Sequence, residues 1–403
     1  MIKRCLMMAG LLAASGSGFG AGFQLYTEGS AEALGQAGAV SGCTNLTSLA
    51  WYNPAALAGS KNTQVMAGNT FALIDTDFNS ALNPALDSEM EHHWRSIPHF
   101  YTVLPVSDKL TGMLSVNAPY GLVTEWKDSW AGSPAATRTE LSTIYTTPAL
   151  AFKLTDRLSV AAGFNVVYAE ADLQAYRGAA LGMRKLTGDD IGYGGTASAH
   201  WQVNDDWGVG ARYQSRVELK LDGDVEYENN PGLGGKFGMT GKVTLPSSVN
   251  VGVANSSFEK LRLGLDVVWS EWSTYDALVY VFPTNPYEGP VESNPKRWKD
   301  VWSVRIGGEY DLTENWVLRG GYVWDESPVD SATLAPELPG SDRHMLTTGI
   351  GWKGERIGID LAYSFLWAED CYTGSGVVSS VPTSAGEYET ETHLVALSAS
   401  YEF

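Results

Sequence analysis

From about residue 60 onward, apolar and polar positions alternate with a period of two. In "RIGIDLAYSFLW", residues 356–367, Ile357, Ile359, Leu361, Tyr363, Phe365 and Trp367 share one face. Arg356, Gly358, Asp360, Ala362 and Ser364 share the other. "LSVAAGFNVVY", residues 158–168, and "WVLRGGYVW", residues 316–324, alternate in the same way and end in aromatic residues. Successive side chains of a strand point to opposite faces, so each segment has one apolar face and one mixed face. Alternation sustained over about ten residues with aromatic ends predicts strands that cross a membrane, with lipid on one side and a lumen on the other. The strands of a soluble sandwich are shorter, about 5–6 residues.

The connections alternate too. Short polar turns at 107–109, 155–157, 204–206, 258–260, 313–315 and 353–355 are interleaved with long loops rich in Pro, Gly, Asn and Asp. Fourteen strands are predicted, starting near 63, 94, 110, 142, 158, 191, 207, 238, 261, 298, 316, 342, 356 and 392. Short turns on the periplasmic side and long loops outside are the expected asymmetry, and an even count leaves both barrel ends periplasmic. The last stretch, "HLVALSASYEF", places Val395, Leu397, Ala399, Tyr401 and Phe403 on one face. It resembles the terminal signal that barrel-assembly machinery reads. The predicted fold class is all-β, a 14-stranded antiparallel transmembrane β-barrel.

Composition narrows the picture. The chain of 403 residues has 44 Gly, 14 Trp and 19 Tyr with only 18% charged residues. No segment after the first twenty residues is long and apolar enough for a membrane helix, and only helices and closed barrels satisfy their backbone in lipid. A net charge of −19 argues against nucleic acid as a partner and suits solvated outer loops. At the N-terminus, Lys3 and Arg4 precede a short apolar run from Leu6 to Ala14, and Gly18-Phe19-Gly20 supplies small residues. This predicts a signal peptide over 1–20 with the mature start at Ala21. The run is too short to span about 30 Å of hydrocarbon, and Cys5 precedes it, unlike a lipoprotein cysteine. Of the two remaining cysteines, Cys43 and Cys371, a disulfide is chemically permitted in an exported protein. Two separate small hydrophobes is the preferred expectation.

Residues 21–62 fit neither a strand nor a membrane helix. "GFQLYTEGSAEALGQAG", residues 22–38, is small, glycine-rich and weakly apolar. Barrels above about eight strands leave interior space, so this segment is expected to be an N-terminal hatch, a plug inside the lumen of a barrel spanning 63–403. No enzyme, cofactor or metal is expected. The six histidines, at 92, 93, 99, 200, 344 and 393, form no triad and no metal spacing. "GLGGKFG" at 232–238 lacks the strand-to-helix context of a phosphate loop.

Several segments carry a further signal in their order and spacing: "AGFQL" at 21–25, "ALGQA" at 33–37, Asn53-Pro54-Ala55, "PYGLVTEWKDSWAG" at 119–132, "AAGFNVVYA" at 161–169, "TLP" at 244–246 and "WDESPV" at 324–329. Together they resemble the FadL family of outer-membrane long-chain fatty acid transporters, whose relatives also import aromatic hydrocarbons. The resemblance spreads over the mature chain. It implies a hatch-closed barrel in the Gram-negative outer membrane, a ligand route through an inner apolar pocket, and a sideways exit where the third strand kinks. Passive diffusion is expected, gated by ligand and by movement of the N-terminus.

The resemblance assigns roles residue by residue. Phe23 matches the aromatic near the mature N-terminus and is expected to plug the inner pocket. Asp325 is placed to pair with the free amine of Ala21. Pro119-Tyr120-Gly121 sits at the kink. From the residues alone a break is expected there, because Pro cannot donate to a ladder and Gly permits a bend. Asn53-Pro54-Ala55 either fixes the hatch, through Asn-to-backbone bonds and a rigid turn, or lines the exit. Cations for a carboxylate are sought in Arg177, Lys296, Arg297 and Lys299; the family positions are offset here, with Ala175 and Asn294 where cations stand in the family. That departure leaves room for an uncharged ligand. The partners expected are therefore a long-chain fatty acid or another hydrophobic small molecule, outer-membrane lipid and lipopolysaccharide, and barrel-assembly machinery during biogenesis, around a monomer. A general porin is disfavoured by the hatch, because a porin needs an open lumen.

Overall fold

The computed structural model of the protein describes residues 23–24, 26–44, 46–228, 235–373 and 382–403. Fourteen long strands form a closed antiparallel wall. They are β1 Gln64–Ser80, β2 Trp94–Ser107, β3 Leu110–Asn117 with Gly121–Glu125, β4 Arg138–Lys153, β5 Leu158–Tyr176, β6 Met183–Gln202 and β7 Trp207–Gln214 with Val217–Glu228. There follow β8 Lys236–Leu245 with Ser248–Asn255, β9 Leu261–Ser270 with Ala277–Val281, β10 Val291–Pro295 with Val301–Asp311, β11 Trp316–Asp325, β12 Arg343–Lys353, β13 Ile357–Ala368 and β14 Gly386–Glu402. The wall closes where β1 pairs with β14, from Gln64 opposite Glu402 to Ser80 opposite Gly386. Closure removes the open sheet edge that lipid cannot satisfy.

The period of two is the inside–outside alternation of this wall. On β13, Ile357, Ile359, Leu361 and Tyr363 are exposed on the outer surface, whereas Asp360, Ala362 and Ser364 are buried inside. Several strands outrun the expected boundaries. β6 begins at Met183 instead of near 191, and β14 at Gly386 instead of near 392. There the ladder continues into polar sequence above the membrane, where no apolar face is needed and the alternation of hydropathy fades. The tenth strand also departs from expectation. Ala277–Val281 and Val291–Pro295, the outer segments of β9 and β10, pair as a hairpin, so Trp298 lies in the irregular stretch before the strand resumes at Val301.

The described residues between Phe23 and Ala58 are almost all buried and packed on the inner wall. Their helices are single turns: α1 Ala31–Leu34, capped by Ser30 Oγ accepting from Ala33 N–H (3.1 Å), and α2 Leu49–Tyr52. A tight turn over Pro54–Leu57 follows. Lumen side chains bind this segment directly. Asn250 Nδ2 donates to Tyr26 Oη (2.8 Å) and Ser41 Oγ (2.7 Å), and Asp266 accepts from Ser41 N–H (3.2 Å). Arg305 lies 4.2 Å over the Tyr26 ring and Arg212 4.0 Å over the Trp51 ring, the geometry of a cation–π contact. Glycine lets the two backbones meet. A Cβ on Gly307 would collide with the carbonyl of Gln36, and one on Gly210 with the carbonyl of Ser41. Cys43 and Cys371 are both free thiols, as the reading of two separate small hydrophobes expects.

Candidate functional site

The wall is interrupted at β3. Pro119 has no N–H to give a ladder, and the two halves of the strand stop at Asn117 and resume at Gly121. β4 pairs with both halves, through Asn117 opposite Tyr145 and Gly121 opposite Ser142. β2 does not follow. Its ladder to β3 ends at Phe100 opposite Val116, and Trp94–His99 are laddered to β1 on their other side. Among the described residues no ladder joins Trp94–His99 to Gly121–Glu125. The slot is bridged above by Glu91 N–H to the Glu125 carbonyl (2.7 Å) and by the Arg95–Glu125 ion pair (3.1 Å).

The freed edge of β3 is taken by the N-terminal segment. Gly121 N–H donates to the Phe23 carbonyl (3.0 Å), and Gln24 lies opposite Tyr120 as a single antiparallel bridge. The Phe23 ring is buried in an aromatic cage, with centroids 4.6 Å from Trp272, 5.6 Å from Tyr275, 5.8 Å from Trp298 and 6.4 Å from Tyr120. Edge-on packing of this kind adds about 0.5–1.5 kcal/mol per pair beyond area burial.

Phe23 forms one wall of an apolar pocket whose free volume, with the ring in place, is about 50 Å³. Leu122, Leu141, Leu221, Met239, Leu278 and Leu338 line much of the rest. One buried charge pair stands in this lining: Lys296, 4% exposed, with its Nζ on the carboxylate of Glu337. A wider polar vestibule adjoins the pocket and shares Thr139, Leu173, Tyr280 and Glu337 with it. Arg138, Arg177, Arg184 and Arg297 stand on the vestibule walls. A polar antechamber opening on an apolar chamber suits an amphiphile, which needs few polar contacts and much apolar surface.

The four cations expected at the pocket are dispersed. Arg177 pairs with Glu292 (3.0 Å) and Glu288 (3.4 Å) in the vestibule, and Arg297 is exposed at its rim. Lys299 is exposed and pairs with Glu326 (2.8 Å). Lys296 alone of the four lines the apolar pocket. Asp325 is paired with Arg343 (2.8 Å) and shares a narrow cleft with Gln24 and Tyr26; its expected partner, Ala21, lies outside the described residues. Asn53-Pro54-Ala55 is tied to the wall by polar bonds. Asn53 Nδ2 donates to the carbonyls of Ser41 (2.8 Å) and Ala199 (3.3 Å). Ala55 N–H donates to Ser198 Oγ (3.0 Å), and its carbonyl accepts from Ser159 Oγ (2.6 Å). Those bonds join the hatch to β5 and β6, away from the slot beside β3.

Sequence reasoning missed Trp272, Tyr275, Trp298 and Glu337. "WSEWSTY" at 269–275 is dense enough in aromatics to have drawn notice. Glu337 sits in a loop with three prolines and nothing local to mark it.

Residues 11–403 match the family model described as outer membrane protein transport protein (OMPP1/FadL/TodX). The long-chain fatty acid transport protein of Escherichia coli (strain K12) is 24% identical, with 88% of this chain and 90% of that protein covered. The 47 kDa outer membrane protein of Pasteurella multocida is 25% identical over 95% of this chain and 96% of that protein. Among solved structures, a Pseudomonas aeruginosa FadL homologue superposes with a TM-score of 0.82 at 22% identity, covering 94% of this chain and 99% of that one. The P. putida toluene transporter TodX superposes with a TM-score of 0.72 at 16% identity, covering 96% and 98%. The fold is shared with these barrels, and the chain belongs to the OMPP1/FadL/TodX family of outer membrane transport proteins.

Proposed function

We propose that this protein takes long-chain fatty acids across the outer membrane by passive, ligand-gated diffusion. The observation that carries the reading is the position of Phe23, whose ring fills one wall of the apolar pocket while its carbonyl binds the broken edge of β3. Each CH2 buried is worth about 0.8 kcal/mol, so a pocket of this lining holds an alkyl chain firmly. Release then requires a change of conformation. Entry of the chain displaces Phe23 and frees the edge at Gly121. The ligand leaves sideways through the slot between β2 and β3 into lipid. Lys296, which lines the pocket, supports a carboxylate ligand there.

A second reading is favoured by one specific feature. Lys296 is already neutralised by Glu337, and Glu140, which also lines the pocket, is paired with Arg138; the resting pocket therefore also suits a neutral hydrocarbon, as the toluene transporters that share the fold carry. Parallel uptake of labelled oleate and labelled toluene, in cells lacking their own transporter, separates the two. Oleate uptake that depends on this protein and is abolished by Gly121→Trp, with the barrel still folded, is the expected result. Toluene uptake alone would assign the neutral substrate.

A further inference from the structure

The buried pair of Lys296 and Glu337 joins two parts of the chain that need not touch. Lys296 lies between the two halves of β10; Glu337 belongs to the loop between β11 and β12, residues 326–342. This loop folds back over the apolar pocket and contributes Val329, Thr333, Ala335 and Leu338 to its lining. Its first turn is tied down by the Lys299–Glu326 pair (2.8 Å) and by Lys299 N–H donating to the Pro328 carbonyl (3.1 Å), and few polar contacts hold its middle over the pocket. Trp126 Nε1 donates to the Pro336 carbonyl (3.2 Å), Thr124 Oγ1 to the Glu337 carbonyl (3.2 Å) and Thr333 Oγ1 to the Lys296 carbonyl (2.5 Å). The Glu337 carboxylate also accepts from Asn294 Nδ2 (3.3 Å).

We propose that Glu337 is a built-in stand-in for the ligand head group: it occupies Lys296 at rest, and a ligand carboxylate that takes its place unlatches the 326–342 loop. The inference rests on the fatty acid reading above. A buried ammonium needs a carboxylate, because leaving one member of such a pair alone is costly. A second carboxylate cannot simply join the first, because like charges in one apolar site repel. The ligand must therefore replace Glu337. The replaced group has somewhere to go, since Glu337 lines the vestibule as well as the pocket, and Arg297 stands exposed at the vestibule rim beside the already paired Arg138, Arg177 and Arg184. The exchange keeps every charge paired. A neutral ligand of the same shape fills the apolar space but has nothing to offer Lys296, and it leaves the latch closed. Glu337 thereby sets specificity for anionic over neutral ligands and couples ligand charge to loop movement.

The test uses the full mature protein in non-ionic detergent, with equilibrium binding of oleate and of oleyl alcohol, and limited proteolysis of the 326–342 loop. Glu337→Gln is expected to tighten oleate binding about tenfold relative to oleyl alcohol, the scale of one charged hydrogen bond. Lys296→Gln and the double variant should bind both ligands alike. Oleate, but not oleyl alcohol, should expose the wild-type loop to protease, and Glu337→Gln should expose it without ligand. Glu337→Asp, which keeps the charge and shortens the reach, should fall between and serves if Glu337→Gln fails to assemble. Equal response of both ligands to these variants, or a loop that stays protected in oleate, overturns the latch alone. Binding of neither ligand by the wild-type protein overturns the transport reading beneath it.

Discussion

The amide of Gly121 donates to the carbonyl of Phe23 across 3.0 Å, so the tip of the hatch is a hydrogen-bonded neighbour of the broken strand. The same residue holds its ring against Trp272 and Tyr275. Leaving the pocket and releasing the strand edge are thus one movement of one residue. Phe23→Ala removes the ring, and truncating a buried Phe costs roughly 3–5 kcal/mol, here of hatch docking. Oleate should bind more tightly, because the pocket loses its resident side chain, and small solutes should leak faster. Binding in detergent and single-channel conductance check both. Unchanged affinity together with unchanged uptake would sink the gate.

Asp325 of β11 and Arg343 of β12 pair across the wall beside the same tip. Their ion pair, at 2.8 Å, borders the cleft shared with Gln24 and Tyr26. Asp325→Ala leaves the Arg343 guanidinium without that carboxylate, and breaking a buried pair costs about 3–5 kcal/mol. The first residues of the mature chain should become accessible to protease while the barrel keeps its resistance to denaturation by detergent at room temperature. Protection equal to wild type would show that the N-terminus is held by other contacts.

The barrel was legible because its physics is periodic. Ile357, Ile359 and Leu361 must meet lipid and Asp360 must not, and that rule writes itself into every second position. The break at Pro119 was legible for the same kind of reason, since a residue without an N–H cannot continue a ladder. The pocket was legible only where a motif marked it, at Phe23. Glu337 reaches Lys296 across a loop whose path depends on long-range packing on Trp126 and Thr124, and no local pattern encodes that path. The ion pairs of Arg177 and Lys299 with Glu292 and Glu326 are likewise contacts between distant segments. A search for cations along the chain finds the positive charges and not the carboxylates that already satisfy them.

The hatch carries buried carboxylates whose titration loosens it. Burial pushes the Glu32 carboxyl up to about 7, with Asp360 and Glu309 adding to the rise and Arg319 and the Ser48 hydroxyl opposing it. Burial also holds Glu28 well above the usual carboxylate range, against its own backbone hydrogen bond and Arg305. A folded-state value above the unfolded one means that the native state binds the proton more tightly. Docking of the hatch is then strongest below the ordinary carboxylate value and weakens as pH rises through about 7. Protease protection of the hatch should fall between pH 5 and 8, and Glu32→Gln should flatten much of that fall. A profile that rises with pH would contradict the assignment.

The close approach of wall and hatch gives the sharpest structural test. Gly307 lies in β10 directly beneath the Gln36 carbonyl, and any Cβ there collides with backbone, which cannot rotate away as a side chain can. Gly320, in β11, has its nearest neighbour at 3.8 Å from the same added atom, ordinary van der Waals contact. Both substitutions to Ala leave the strand ladder intact, so both barrels should assemble. Only Gly307→Ala should lift the hatch from its seat. It should raise single-channel conductance and permeability to small polar solutes, whereas Gly320→Ala should behave as wild type. A sealed Gly307→Ala barrel would mean that the hatch tolerates displacement at Gln36 and that closure is set elsewhere, by Phe23 and the Asn53 bonds.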